Sequence, residues 1–210
     1  MKKDKNIILD NFIWRFAERC GAQLVTAVVT LLLARILMPE DYGRTALVAV
    51  FINILQVFID SGLGTALIQK KDADDLDFSS VFYFNFAVCL VLYAGMFIAA
   101  PYIAAFYKDL TLTPVVRVAS LTLVFSGVKG IQQAYVSRNM MFKRFFFATL
   151  GGTLFSAFLG LGMAYAGFGV WALVAQQLSN TAIDTLILWL TVHWRPKAVF
   201  SWQRLKGLLS

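Results

Sequence analysis

Charge is scarce in this chain: Asp, Glu, Lys and Arg make up only 15% of its 210 residues, against about 25% in a typical soluble domain. A larger core cannot absorb the deficit, because a chain of this size still exposes much of its surface. With 59% hydrophobic residues, the surface is expected to face lipid. Cysteine is equally sparse. Cys20 and Cys89 both fall in apolar segments without metal-ligand spacing, and both read as small buried hydrophobes. The one histidine, His193, stands beside Trp194 and Arg195 at a helix end, where an interfacial role is expected rather than catalysis.

Other absences narrow the function. No Gly-rich phosphate loop, zinc spacing or nucleophile–base pair is present, so no enzyme activity, no catalytic residue, no metal and no cofactor is expected. The acidic run Asp72–Asp77 lacks the glycine and terminal glutamate of a calcium loop and reads as a solvated connector. The net charge of +7 is dispersed between apolar runs rather than gathered on one face, which argues against nucleic acid. After Met1-Lys2-Lys3-Asp4-Lys5 no short apolar region with a small-residue cleavage site follows, so the first helix is expected to stay in the membrane.

Long apolar runs are what the chain does have. A bilayer core of about 30 Å takes around 20 helical residues, and helix is the only form open to such runs, since lipid cannot satisfy backbone polar groups. Spans are expected near 12–34, 44–68, 79–104, 114–137, 145–166 and 170–192. They form an all-α six-helix transmembrane lobe over 12–192, with an N-terminal segment 1–11 and a tail 193–210. Met38-Pro39-Glu40-Asp41-Tyr42-Gly43 separates the first two spans, Lys70–Asp77 the next pair, Lys108-Asp109 with Pro114 the third from the fourth, and Arg138-Asn139 with Lys143-Arg144 the fourth from the fifth. From Phe145 to Ile183 no charge occurs. As one helix that stretch would run roughly 58 Å at 1.5 Å per residue, too long for one bilayer, and the break is expected at Gly167-Phe168-Gly169.

Orientation follows from Lys and Arg. With the N-terminus inside, twelve of them fall in cytoplasmic segments and four (Arg35, Arg44, Lys108 and Arg117) on the opposite side. Arg15, Arg19 and Lys129 lie within spans. The positive-inside rule then places both termini in the cytoplasm.

Four spans carry a polar stripe at helical spacing. The first offers Arg15, Glu18, Arg19, Ala22, Thr26 and Thr30; the second Thr45, Ala49, Asn53, Gln56 and Asp60. The fourth offers Thr122, Ser126, Lys129 and Gln133; the sixth Gln177, Asn180 and Asp184. Ionisable groups inside membranes cost about 2.5–3.5 kcal/mol each at mid-span on insertion scales, so they tend to face a bundle interior or wet cavity. Arg15, Glu18 and Arg19 admit two readings, a cavity role or snorkelling and mutual pairing near a span end. Asp60 and Asp184 read either as functional or as aspartates tolerated close to the cytoplasmic side, while Lys129 lies deeper and reads as cavity-facing. Gly152, Ser156 and Gly160 form a small-residue ridge for helix packing.

Three motifs resemble a known family. Leu33-Ala34-Arg35-Ile36-Leu37-Met38-Pro39-Glu40-Asp41-Tyr42-Gly43 resembles a turn of bacterial polysaccharide flippases, and Asp60-Ser61-Gly62-Leu63-Gly64-Thr65-Ala66-Leu67-Ile68-Gln69 a second segment of them. Phe168-Gly169-Val170-Trp171-Ala172-Leu173-Val174-Ala175-Gln176-Gln177 resembles their entry to the sixth helix, and Trp194-Arg195-Pro196 its exit. The match runs in order from about Asn11 to the C-terminus. It is similar to the polysaccharide-transporter (Wzx-like) branch of the multidrug/oligosaccharidyl-lipid/polysaccharide exporter superfamily.

The resemblance implies one lobe of a two-lobed, MATE-like flippase in the bacterial inner membrane. Such a protein translocates polyprenyl-pyrophosphate-linked oligosaccharide by alternating access for surface polysaccharide synthesis. The implied partners are that lipid-linked oligosaccharide, membrane lipid, a second six-helix lobe and polysaccharide polymerase machinery. Residues 200–210 read as an interfacial amphipathic helix leading toward a seventh span, so the chain is expected to be part of a longer protein. From chemistry and spacing, Arg15, Arg19 and Lys129 are candidates for the pyrophosphate, since cations pair with phosphate oxygens. Asn53, Gln56, Gln133, Gln177 and Asn180 are candidates for lining a polar cavity, and Glu18, Asp60 and Asp184 for ion coupling. A multidrug or small-solute exporter on the same fold and a membrane enzyme acting on lipid-linked sugars are the competing readings.

Overall fold

The computed structural model describes the backbone of residues 2–59, 63–70 and 72–209, and the side chains among them except those of 2–12, 15, 18, 142, 208 and 209. The described residues fold as helices joined by short turns: α1 (Lys2–Ile36), α2 (Pro39–Ile59), α3 (Leu63–Gln69), α4 (Asp75–Phe106), α5 (Leu112–Ala119), α6 (Leu121–Arg138), α7 (Phe142–Tyr165), α8 (Val170–Thr191) and α9 (Trp202–Leu209).

Local chemistry sets these boundaries. Pro39 opens α2, where its missing N–H is not needed, and Glu40 and Asp41 follow in the positive first turn. Asp74 caps α4 through a reciprocal box: its carboxylate accepts from the Asp77 N–H at 3.0 Å, and Asp77 accepts from the Asp74 N–H at 3.2 Å. The Asp77 N–H, foremost, holds the Asp74 carboxyl below its ordinary value. Between α7 and α8, Gly167 and Gly169 take φ of +80° and +53°, a backbone that side chains beyond glycine rarely adopt.

The stretch expected as one span over 114–137 lies within one apolar stretch, Leu112–Arg138, whose helix is interrupted by a turn at Ser120. There Ser120 Oγ donates to the Val116 carbonyl at 2.6 Å and Thr122 Oγ1 to the Ala119 carbonyl at 2.7 Å. Hydroxyls that return to the preceding turn compete with the helical ladder and bend it.

Packing is built from neighbouring helices. α7 lies between α1 and α8, α6 between α4 and α8, and α2 rests on α4, α5, α6 and α8. One apolar cluster joins α2, α4, α5 and the start of α8 around Val48, Ile52, Met96, Val116 and Val174. A second gathers Leu67, Phe78, Val81, Ile131, Leu188 and Trp194 at the other end, and a third ties Val29 and Leu33 to Ala157 and Ala172. Much apolar surface stays outside: Leu24, Val28, Leu31, Val57, Val91, Ile98, Phe158 and Leu190 are all exposed. Water would not tolerate such an all-round apolar coat, and lipid does.

By length and composition five stretches are long and apolar enough to cross a membrane: Arg19–Ile36, Pro39–Gln69 (α2 and α3, with residues 60–62 between them outside the described residues), Asp75–Phe106, Leu112–Arg138 and Lys143–Tyr165. α8 has 22 residues but is not among them, because Gln176, Gln177, Asn180 and Asp184 interrupt its apolar character. The chain is an all-α membrane bundle with multiple apolar helices.

Three expectations change. Cys89 is buried, but Cys20 is exposed, because α1 packs along one stripe only, mainly against α7. The acidic run is not wholly a solvated connector: Asp77 has no exposed surface, since the capping box draws it under the bundle end. Nor does the tail lie entirely outside. Trp194 stacks on Tyr135 and Leu205 is fully buried, because α9 packs on α3 and α4.

Candidate functional site at the α6–α8 seam

The polar stripes of α6 and α8 meet. Lys129 of α6 places its Nζ 2.6 Å from Asp184 Oδ2 of α8, and both side chains are largely covered, with 22% and 7% exposure. At the next residue of α8, Thr185 Oγ1 donates to the Thr181 carbonyl at 2.6 Å and lies 3.4 Å from the Phe125 carbonyl of α6. Polar contacts thus stitch the two helices where an apolar seam would otherwise be expected.

Glycines set the depth of the seam. A side-chain carbon on Gly127 would fall 2.2 Å from Cys89 Sγ, so α4 and α6 approach as closely as they do only because position 127 has none. Asn85, a turn away on α4, donates to the Gly127 carbonyl at 3.3 Å. On the other side, a carbon on Gly152 of α7 would meet the Asn180 carbonyl at 3.0 Å and Asp184 Cβ at 3.2 Å. Gly152 and Gly160 of the ridge therefore face α8, and the packing role that its spacing suggests is met there.

Beside the seam, a cavity of about 270 Å³ opens between α2, α3, α4 and α6, with Thr65, Asn85, Gln133 and Ser137 as its polar lining. Its remaining wall is apolar or small, including Ile59, Leu63 and Gly130. Such a lining can offer hydroxyl and amide groups to a polar ligand without fixing a charge.

The candidate residues separate on inspection. Lys129 and Asp184 are brought together, Gln133 lines the cavity and Asn180 packs on Gly152. Asn53 and Gln177 are exposed on their helices, and Gln56 is half-buried. Arg19 is exposed in a shallow depression with Cys20, Gln23 and Thr149, and no described contact joins it to Lys129. The side chains of Arg15 and Glu18, and Asp60 entirely, lie outside the described residues.

Sequence reasoning passed over Asn85 and Asp77. Asn85 is the single amide in a long greasy helix, and that isolation was the available signal. Asp77 stands three residues after a capping aspartate, the spacing of a capping box, although the usual partner there is Glu or Gln.

The two ends of the bundle differ. At one, Lys70 Nζ sits 2.7 Å from Asp77, Arg204 lies 3.6 Å from the same carboxylate, and Lys197 meets Asp75 at 2.6 Å. Arg138 donates to the Leu67 and Lys70 carbonyls at 2.8 and 2.6 Å, and Arg144 donates to the Thr191 carbonyl. At the other end Arg44 Nε donates to Asp109 at 2.7 Å, joining the start of α2 to the α4–α5 turn. Hydrogen bonds from Thr111, foremost, and from Arg44 hold the Asp109 carboxyl below its ordinary value.

Residues 32–210 match the family described as polysaccharide biosynthesis protein. The chain is 26% identical over 198 residues to the succinoglycan biosynthesis transport protein ExoT of Rhizobium meliloti, covering 94% of this chain and 40% of that relative. It is 28% identical over 162 residues to the teichuronic acid biosynthesis protein TuaB of Bacillus subtilis, covering 74% of this chain and 32% of the relative. The lipopolysaccharide biosynthesis protein WzxC of Escherichia coli is 24% identical over 160 residues, again 74% of this chain and 32% of the relative. The chain thus spans well under half the length of these relatives. No solved structure matches. With most of its length matched in register, this chain belongs to the polysaccharide biosynthesis protein family.

Proposed function

We propose that this chain forms one lobe of an exporter that flips polyprenyl-pyrophosphate-linked oligosaccharide across the bacterial inner membrane. The observation that carries the reading is the polar α6–α8 seam, with its Lys129–Asp184 pair, inside a membrane bundle of the polysaccharide biosynthesis family. A passive scaffold has no need of an ion pair among apolar helices, whereas a carrier of an anionic, hydroxyl-rich head group needs both charge and hydrogen-bonding groups.

In this reading six helices, α8 included, cross the bilayer with both termini cytoplasmic, and a second lobe rocks against this one about a midplane site. Lys129, Arg19 and Arg15 attract the pyrophosphate. Gln133, Asn180, Asn53, Gln56 and Gln177 serve sugar hydroxyls, and Asp184, Glu18 and Asp60 serve ion coupling. The chemistry is movement rather than bond making, so no enzyme activity is assigned. Polysaccharide polymerase machinery would take the delivered substrate.

Complementation tests the reading. The complete gene product is expressed in a strain whose own flippase is deleted, and surface polysaccharide and lipid-linked intermediates are assayed together. Restored polysaccharide with falling intermediates is the expected result. Normal membrane expression with intermediates still accumulating would count against the reading.

A further inference from the structure

The Lys129–Asp184 pair is lopsided. Asp184 is the more deeply covered partner, and α8 is held against α7 at its level by the Gly152 contact. Its Oδ2 receives the ammonium, while its buried Oδ1 has no hydrogen-bond partner. Lys129 reaches across on a flexible four-carbon stem, its side chain 22% exposed, and an ammonium offers three donors of which Asp184 engages one. The acid is fixed and incompletely satisfied; the base is movable and partly open.

Stability alone does not account for such a pair. Two hydrophobic side chains of similar volume would hold α6 to α8 about as well, because desolvating both charges offsets most of their attraction. A charge held in reserve accounts for it better.

We propose that Asp184 masks Lys129, and that a phosphate-bearing anion occupies this site by drawing the ammonium away from the Asp184 carboxylate. The class of anion rests on the exporter reading above; the masking rests on the geometry of the pair. Asp184 is then a specificity determinant rather than a contact of the ligand. A singly charged anion competes poorly with a carboxylate already 2.6 Å from the ammonium, while a pyrophosphate brings more charge and more acceptors to the same donors. Once the anion has taken Lys129, Asp184 is left buried without its cation, and the cost of that state favours return of the lysine and release of the ligand. The same pair selects the ligand and limits how long it stays.

The test uses the complete gene product purified in detergent, titrated with farnesyl pyrophosphate, inorganic pyrophosphate and farnesol. Asp184→Asn is expected to bind farnesyl pyrophosphate at least about tenfold more tightly than wild type, since the lysine is unmasked. Lys129→Gln is expected to lose that binding, Lys129→Arg to keep it, and farnesol binding to be unchanged throughout. An equal gain for inorganic pyrophosphate supports a site for the free anion; a gain confined to farnesyl pyrophosphate supports a lipid head group. Affinity in Asp184→Asn equal to or below wild type, or no binding in either, overturns the proposal.

Should Asp184→Asn not fold, the exchanged pair Lys129→Asp with Asp184→Lys decides. A mere helix staple predicts that the exchange restores pyrophosphate affinity and export, which would overturn masking; masking predicts that it restores neither. Complementation separates the two levels. Tightened binding without export removes the exporter reading and leaves the anion site, whereas export with unchanged affinities removes only the masked site.

Discussion

The two ends of the bundle are fastened differently, and the contrast shows what the charge count in the sequence means physically. At the Lys70–Arg204 end, a fully buried carboxylate, Asp77, caps α4 while Lys70 and Arg204 converge on it, and Arg138, Arg144 and Lys197 close the neighbouring turns. At the Arg44–Asp109 end Arg44 faces Asp109, Asp41 and Glu40, none of them fully buried, and ties the start of α2 to the α4–α5 turn. The excess of Lys and Arg that indicates orientation is, at the first end, also structural: these cations cover exposed helix ends and neutralise a buried acid. The second end is held by more exposed groups gathered around Arg44.

Substitutions can break or sharpen this contrast. The largest effect is expected at Asp77. Asp77→Asn removes the charge that Lys70 and Arg204 face, and loss of a hydrogen bond to a charged group costs about 1.5–3 kcal/mol, to be read as a lower midpoint of thermal unfolding in detergent. Next comes the seam between the ends. Gly152→Val forces α8 off α7, and overpacking of this kind costs about 1–3 kcal/mol. The same unfolding assay applies, with an added loss of export from displacing Asp184.

A smaller effect is expected at the more exposed end. Asp109→Asn should lower stability less than Asp77→Asn, and its signature is in pH. The Asp109 carboxyl is held below its ordinary value of 3.8, so the stability it contributes is present above that value and lost as pH falls through the lowered one. Wild type should therefore lose this contribution in acid below about pH 4, while Asp109→Asn shows no such step; identical acid profiles would remove the clamp from the account. Least of all, Glu40→Gln should change stability within about 0.5 kcal/mol, because Glu40 is 79% exposed and its pair with Arg44 is 4.0 Å long.

Legibility in the sequence followed the physics. Apolar runs and glycine turns announce helices, because a bilayer demands both length and backbone closure; the break at Gly167–Gly169 is an instance. That Gly152, Ser156 and Gly160 form one packing face was also readable, since their spacing puts them on one side of the helix; that the face meets α8 was not. What could not be read was which stripes meet. Lys129 and Asp184 each announce themselves, yet nothing local says that α6 lies beside α8 with those positions level. Ser120 hid a bend, because a serine within a helix bends it only when its hydroxyl turns back to the preceding carbonyl. Asp77 was missed for a related reason. An aspartate in an acidic run reads as solvated until Lys70, Arg204 and the fold of the tail are placed around it.

The most direct test of the central claim is a flipping measurement on the complete gene product. The protein would be reconstituted into proteoliposomes carrying fluorescent polyprenyl-pyrophosphate-linked oligosaccharide in both leaflets, and the fraction accessible to an external quencher followed in time. The account predicts that quenching passes from about half to nearly complete with the protein, that Lys129→Gln abolishes the change, and that protein-free vesicles show none. Quenching that stays at the protein-free level with correctly folded, inserted protein would contradict it.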